Sequence, residues 1–194
     1  MKKRVDLPEK KYEGYIFDLD GTLVDSMPLH YRAWREALAR AGAPDHVFRA
    51  DEFYSCGGKS ANDVVRFLNE RYGMHMDAAS TAADKRRIYL EMLEKEGMQP
   101  IREVVEFVHS LGDAPKAIAT GSAMPGASRT LAAAGLSGLF DVILTPDEVE
   151  HGKPAPDMFL KAAELLGVSP DRCVVFEDAE PGMNCVQVRR PSLA

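Results

Sequence analysis

The stretch Gly14-Tyr15-Ile16-Phe17-Asp18-Leu19-Asp20-Gly21-Thr22 constrains the rest of the chain more than any other. Tyr15 to Phe17 form a short apolar run of the kind that makes a buried parallel strand. It ends in two carboxylates at i and i+2, followed by a Gly-Thr turn. Residues i and i+2 of a strand point the same way, so Asp18 and Asp20 are expected to converge just past the strand's carboxyl end. Like charges held that close raise each other's pKa unless a cation or a proton sits between them. A bound Mg²⁺ relieves the repulsion, and hard oxygen ligands suit it. One carboxylate can then act as nucleophile while the other moves a proton.

After Ser26 the pattern turns helical as far as Gly97. Pro28 suits the first turn of a helix in which Trp34, Ala37, Leu38 and Ala41 share one face, before Gly42. Residues 51–58, rich in Tyr, Cys and Gly, are expected to form a loop. Ser60 is placed to cap a second helix, with Ala61, Val64, Val65, Leu68 and Tyr72 on its apolar face and Gly73 as its stop. A third helix is expected over 79–96, with Ile88, Met92 and Leu93 inward and Gly97 ending it. Three or more helices without an intervening strand do not belong to an alternating βα pattern. Residues 27–97 are therefore expected to be an inserted helical cap, and 1–26 with 98–194 the α/β core.

From Met98 helix and strand alternate. A helix over 101–111, with Val104, Val105, Val108 and Leu111 inward, leads to the strand Lys116-Ala117-Ile118-Ala119-Thr120. A helix over 127–134 stops at Gly135, and a third strand is expected over 141–145. A helix over 156–166 stops at Gly167, and Cys173-Val174-Val175-Phe176 is a fourth apolar strand. Parallel strands joined by helices build a doubly wound sheet whose ligands bind outside the strands' carboxyl ends. Polar groups do fall just after the other strands: Thr120 closes the second, Lys153 follows the third, and Glu177-Asp178 follow the fourth without a gap.

Asp18-Leu19-Asp20-Gly21-Thr22-Leu23-Val24-Asp25-Ser26 resembles the first motif of the haloacid dehalogenase (HAD) superfamily, and within it the β-phosphoglucomutase-like sugar phosphatases. Thr120-Gly121-Ser122 resembles the second motif, Lys153 in His151-Gly152-Lys153-Pro154 the third, and Phe176-Glu177-Asp178 the fourth. The likeness implies a HAD-like Rossmannoid sheet and hydrolysis of a small phosphate monoester, a sugar phosphate, through an aspartyl phosphate. It makes Asp18 the nucleophile and Asp20 the acid and then the base. It makes Asp18, the Asp20 carbonyl, Asp178 and, nearby or through water, Glu177 the surroundings of Mg²⁺. Lys153 supplies a second positive charge, and the Thr120 hydroxyl with the N–H groups of Gly121 and Ser122 receives the phosphoryl oxygens. Asp20 sets the chain apart from the family's dehalogenases, which lack an Asp there, and its phosphonatases, which have a small residue.

His30 stands where β-phosphoglucomutases have a His near the acid–base Asp; a plain helix-surface or hinge histidine is the other reading. Trp34 is expected in the cap's core. Cys56-Gly57-Gly58-Lys59-Ser60 resembles the substrate-specificity loop, which makes Gly57, Gly58 and Lys59 candidates for substrate contact. The mutases carry an Arg close to the position of Ser60. Here the nearest cation is Lys59, a point charge without the bidentate fork, which favours water as acceptor and hence a phosphatase. Lys85 reads by default as an exposed helix lysine, with a place facing the substrate as the alternative.

A net charge of −6 argues against a general nucleic-acid surface, and no apolar run approaches the ~20 residues of a membrane span. Asp6, Pro8 and Glu9 follow the basic Lys2-Lys3-Arg4, so no signal peptide is expected. Cys56, Cys173 and Cys185 are widely spaced without a metal pattern, and reduced thiols in the cytoplasm are expected. After Gly182 the tail ending Arg189-Arg190-Pro191-Ser192-Leu193-Ala194 departs from the family's final αβ unit, which is expected to be truncated or replaced. A monomer is expected, with self-association through an uncovered sheet edge as its hazard. Two other functions stay open: a phosphosugar mutase, and a truncated, inactive binding or regulatory protein.

Overall fold

The structure, a computed structural model, describes residues 12–57, 59–179 and 182. Among these, four strands are β1 (Gly14–Phe17), β2 (Lys116–Ala119), β3 (Val142–Leu144) and β4 (Cys173–Phe176). They form one parallel sheet in the order β3-β2-β1-β4. β1 is therefore an inner strand, with Phe17 opposite Ile118 on one side and Phe176 on the other. A strand buried on both faces needs apolar residues of both parities, which is why Tyr15-Ile16-Phe17 shows no alternation.

The two faces have separate cores. Ile16, Ala117, Ala119 and Leu144 pack on Met158 and Ala162 of helix α7 (Asp157–Leu165). Phe17 and Ile118 point the other way, toward α4 (Ala78–Glu96), α5 (Arg102–Ser110) and α6 (Met124–Ala133). Phe17 lies fully buried and flat on Phe176, ring centroids 4.6 Å apart. Helices α1 (Met27–Arg40), α2 (Ala50–Ser55) and α3 (Ala61–Tyr72) precede α4, so four helices separate β1 from the next βα unit. Three of them and their connections share a core of their own around Trp34, Leu38, Phe48, Phe53 and Leu68.

The chain enters and leaves these helices side by side. Asp25 donates its N–H to Gln99 O at 3.0 Å, and Ile101 donates to Leu23 O at 2.8 Å. Among the described residues no helix is long and apolar enough to cross a membrane.

Several boundaries differ from expectation for local reasons. Residues 50–55 are helical, not loop. Asp51 and Glu52 sit in the first turn, where the dipole favours carboxylates, and Phe53 packs edge-on to Phe48 at 5.9 Å. A helix of six residues buries one side chain, too few to leave a period in the sequence. Helix α1 stops before Ala41, which is exposed. Helix α4 starts at Ala78 because Asp77 accepts the Ser80 N–H at 2.7 Å; Met92 is half-buried against the core, and Tyr89 is buried beside Ile88 and Leu93. Helix α6 starts at Met124 with Pro125 in its first turn, where the missing N–H has no partner to lose. On α5 only Val108 is fully buried, while Val104, Val105 and Leu111 are half-buried. Ser60 caps α3 as expected, accepting the Asp63 N–H at 3.2 Å. The expected change in the final αβ unit concerns residues 183–194, which lie outside the described residues.

Phe17 ties the central strand to its neighbour. Phe17→Ala is expected to cost ~3–5 kcal/mol of unfolding free energy, read as a lowered urea midpoint at unchanged slope. A loss below ~1 kcal/mol would mean that the sheet core does not depend on this ring.

Candidate active site

The last sheet hydrogen bond of β1, from Asp18 N–H to Phe176 O at 2.9 Å, sets where the Asp18 carboxylate leaves the sheet. Its Oδ1 accepts from Lys153 Nζ at 2.6 Å, and the same ammonium donates to Glu177 Oε2 at 2.6 Å. All three side chains are almost fully buried. Glu177 also accepts the Ala179 N–H at 3.0 Å, and Asp178 accepts the Thr22 hydroxyl at 3.0 Å. Oxygens of Asp18, Glu177 and Asp178 lie within 4.8 Å of one another. Residues from three strand ends thus meet at one rim.

Asp20 shares that rim but not those partners. Its Oδ1 accepts from Ser26 Oγ at 2.6 Å and lies 3.1 Å from His30 Nε2, and its Oδ2 accepts from Ser122 Oγ at 2.7 Å. Its side chain is therefore spoken for, and the cluster able to hold a cation through carboxylates is Asp18, Glu177 and Asp178.

The two aspartates differ electrostatically. Burial pushes the Asp18 carboxyl up to about 7; Lys153 opposes this, while Glu177 and Asp20 add to it. Burial also acts upward on Asp20, but His30 and the Ser26 and Ser122 hydroxyls outweigh it and hold that carboxyl well below the usual range. Burial first, then the Lys85 ammonium, lowers His30, with Asp20 opposing. Lys85 Nζ stands 2.8 Å from His30 Nδ1. An ammonium can only donate, so Nδ1 accepts and Nε2 carries the proton given to Asp20. Lys85 is itself pushed down to about 8, chiefly by burial.

Desolvation, crowded carboxylates and a single ammonium describe a site short of positive charge. A divalent cation with hard-oxygen preference fits the donor set. The carboxylates open into a cavity of about 340 Å³ beneath α1, α3 and α4. Gly121 and Ser122 line it, whereas Thr120 is fully buried. The Thr120 hydroxyl accepts the Ser122 N–H at 3.0 Å, so that N–H, expected to face the substrate, is engaged. Gly57 and Lys59 line the cavity, and Gly58 lies outside the described residues. A Cβ on Gly57 would come within 2.9 Å of the Ala179 Cβ, so the loop after α2 touches the loop that bears Asp178. Lys59 Nζ sits 4.6 Å over the Phe67 ring. Trp34 packs edge-on to Phe48 at 5.6 Å and also reaches the cavity. Lys85 is half-buried on the cavity wall, the alternative of its two expected places.

Reading the sequence missed the side chains of Thr22 and Ser26, although both lie within the first motif. It also missed Arg86 on the cavity wall and Tyr89, whose ring stacks on His30 at 4.0 Å. Tyr89 stands four residues after Lys85 and so shares its helix face, the one signal that could have found it.

A family model described as haloacid dehalogenase-like hydrolase matches residues 12–183. The chain is 35% identical to the fructose-1-phosphate phosphatase YqaB of Escherichia coli (strain K12), a match covering 93% of this chain and 98% of that protein. It is 36% identical to hexitol phosphatase A of the same organism, over 88% of this chain and 76% of that one. Its structure is similar to that of a β-phosphoglucomutase from Clostridium difficile, with a TM-score of 0.76 and 26% identity, covering 91% of this chain and 80% of that chain.

The raised Asp18 carboxyl sets a pH dependence in chelator. The folded chain keeps that proton up to about 7, whereas the unfolded chain releases it near 3.8. The folded state binds the extra proton between these values, so stability falls as pH rises through the window. The melting temperature in EDTA, wild type minus Asp18→Asn, is expected to decline from about pH 4 to pH 7. A flat difference would contradict a desolvated Asp18.

Proposed function

The chain belongs to the haloacid dehalogenase-like hydrolases, and from that premise we propose that it is a Mg²⁺-dependent phosphatase of a small sugar phosphate, acting through an aspartyl phosphate on Asp18. One observation carries the reading. A buried lysine bridges Asp18 and Glu177 beside Asp178, while Asp20 is held apart in the same cavity by three donors.

In this reading an Asp18 oxygen attacks phosphorus, and the bond from phosphorus to the sugar oxygen breaks. Asp20 gives the leaving oxygen its proton. A phosphoryl dianion arriving next to Asp20 favours its protonated form, against the low pKa of the empty site. Water then attacks the aspartyl phosphate, losing a proton to Asp20, and Asp18 is released. Ser26, Ser122 and His30 keep the Asp20 carboxylate aimed throughout. Lys153, with the Gly121 N–H, faces the charge that spreads over the phosphoryl oxygens, and the buried Thr120 hydroxyl holds the loop beside them by accepting the Ser122 N–H. Asp18, Glu177 and Asp178 would hold Mg²⁺, which would supply the positive charge this acidic rim lacks.

We extend the proposal to the division of the chain: residues 1–26 and 98–194 as core, 27–97 as cap. The adjacent crossings at Asp25–Gln99 and Leu23–Ile101 support it, since a segment joined at one place can swing as a unit. Closure over the cavity excludes water and selects the substrate. His30, Gly57 and Lys59 then reach the substrate or the acid–base group from the cap side. The proposal includes a cytoplasmic monomer acting on a small molecule, and the free Cys56 and Cys173 are in keeping with a reducing compartment. Water is favoured over a second sugar as acceptor because Lys59 rests on Phe67 and cannot offer a guanidinium fork.

Phosphate release from a panel of sugar phosphates is expected to require Mg²⁺. It should fall ~10³-fold or more in Asp18→Asn and ~10²–10⁴-fold in Asp20→Asn. Isomerisation that needs a bisphosphate primer would favour the mutase instead. Silence across the panel would favour the inactive binding protein.

A further inference from the structure

Two side-chain hydrogen bonds run from helices α1 and α4 to the sheet-bearing part of the chain, and they start from one stacked pair. His30 on α1 reaches Asp20. Tyr89 on α4 shares a 2.8 Å hydrogen bond with the Thr130 hydroxyl on α6, both residues being buried. Between them the His30 and Tyr89 rings lie face to face, centroids 4.0 Å apart and planes within 10°. A phenol buried without a partner is costly, so a tyrosine in this place depends on Thr130.

Helix α6 also begins at Met124, two residues after Ser122, which donates to the other oxygen of the same carboxylate. The contacts therefore close on themselves. From Asp20 Oδ1 they pass through His30, Tyr89 and Thr130 into α6, and from the start of α6 they return through Ser122 to Oδ2. Both oxygens of Asp20 are referenced to one helix, one from below and one across the helical block. A shift of α4 against α6 would rotate His30 and leave Oδ1 of the carboxylate with the Ser26 hydroxyl alone.

We propose that Tyr89 is a positioning residue for proton transfer by Asp20, with Thr130 as its anchor: the pair sets the plane of His30, and His30 sets the orientation of the carboxylate. This rests on the acid–base role assigned to Asp20 above. The ring is packed in the core and stacked on His30 in any case, and the Tyr89 hydroxyl adds the bond to Thr130 that references it to α6, so the hydroxyl carries the effect.

The test compares Tyr89→Phe, which keeps the ring, with Thr130→Val, which keeps the shape of its partner. Tyr72→Phe is the control, since its hydroxyl bonds Glu52 within the helices at 2.9 Å. Phosphate release with Mg²⁺ is measured for each. Tyr89→Phe and Thr130→Val are each expected to lower kcat ~5–20-fold, with KM within about twofold and the double variant no slower than either. The control should stay within about twofold, and Tyr89→Phe should have no further effect on Asp20→Asn. A Tyr89→Phe kcat within about twofold of wild type, whatever its melting temperature, overturns the proposal. If wild type releases no phosphate, the functional reading fails by itself, and solvent exchange of the His30 Nε2 proton, followed by NMR, decides the positioning. Faster exchange in Tyr89→Phe and Thr130→Val supports it, and unchanged exchange in both overturns it.

Discussion

The Lys153 ammonium, buried between Asp18 and Glu177, is the contact on which the site depends. Four carboxylates are gathered at the end of a sheet whose two inner strands, β1 and β2, are largely buried. Charges in such a place are tolerated only when paired or hydrogen-bonded, and one lysine cannot neutralise four groups. The surplus is managed in two ways. Asp20 is separated from the cluster by its own donors, Ser26, His30 and Ser122. The oxygens of Asp18, Glu177 and Asp178 are left close together, a place suited to a cation, and burial, with Glu177 and Asp20 adding to it, raises Asp18.

The helices over the cavity add what the sheet lacks. The rim is acidic, whereas the wall opposite carries Lys59, Lys85 and Arg86. Lys85 is not simply a surface charge: it sits on the Trp34 and Tyr89 rings and fixes the tautomer of His30. A carboxylate of the rim is thus oriented by groups that arrive from the far side of the cavity. The contact of Gly57 with Ala179 works the same way, bringing the helical block onto the loop that bears Asp178. Such contacts exist only while the helices lie against the rim, so in the proposed reading closure and the aiming of Asp20 would be one event.

Much of this was legible in the sequence, and for an identifiable reason. In a parallel sheet each strand delivers its next residues to the same edge, so short motifs at strand ends become neighbours whatever separates them. Asp18, Lys153 and Glu177-Asp178 could be gathered on that rule before any coordinate was known. Long amphipathic helices such as α3 were equally plain. Helix α2 was not, because six residues with one buried side chain carry no period. Thr22 and Ser26 were overlooked because a hydroxyl near a carboxylate leaves no mark in composition. Which of its neighbours it bonds depends on the turn after β1.

The sequence by itself determined the order of strands and helices, the acidic strand end and the set of polar groups available there. Local periodicity, caps and turns suffice for those, since each is a property of a few adjacent residues. Only the tertiary structure decided how the two aspartates divide: Asp18 toward Lys153 and the acidic cluster, Asp20 toward Ser122, Ser26 and His30. It alone decided that Tyr89, buried as ordinary core would be, joins α4 to α6 through Thr130. The reason is that a carboxylate's pKa and direction are set by burial and by donors from distant segments. Those donors come within hydrogen-bonding reach only after the sheet and the helices have packed.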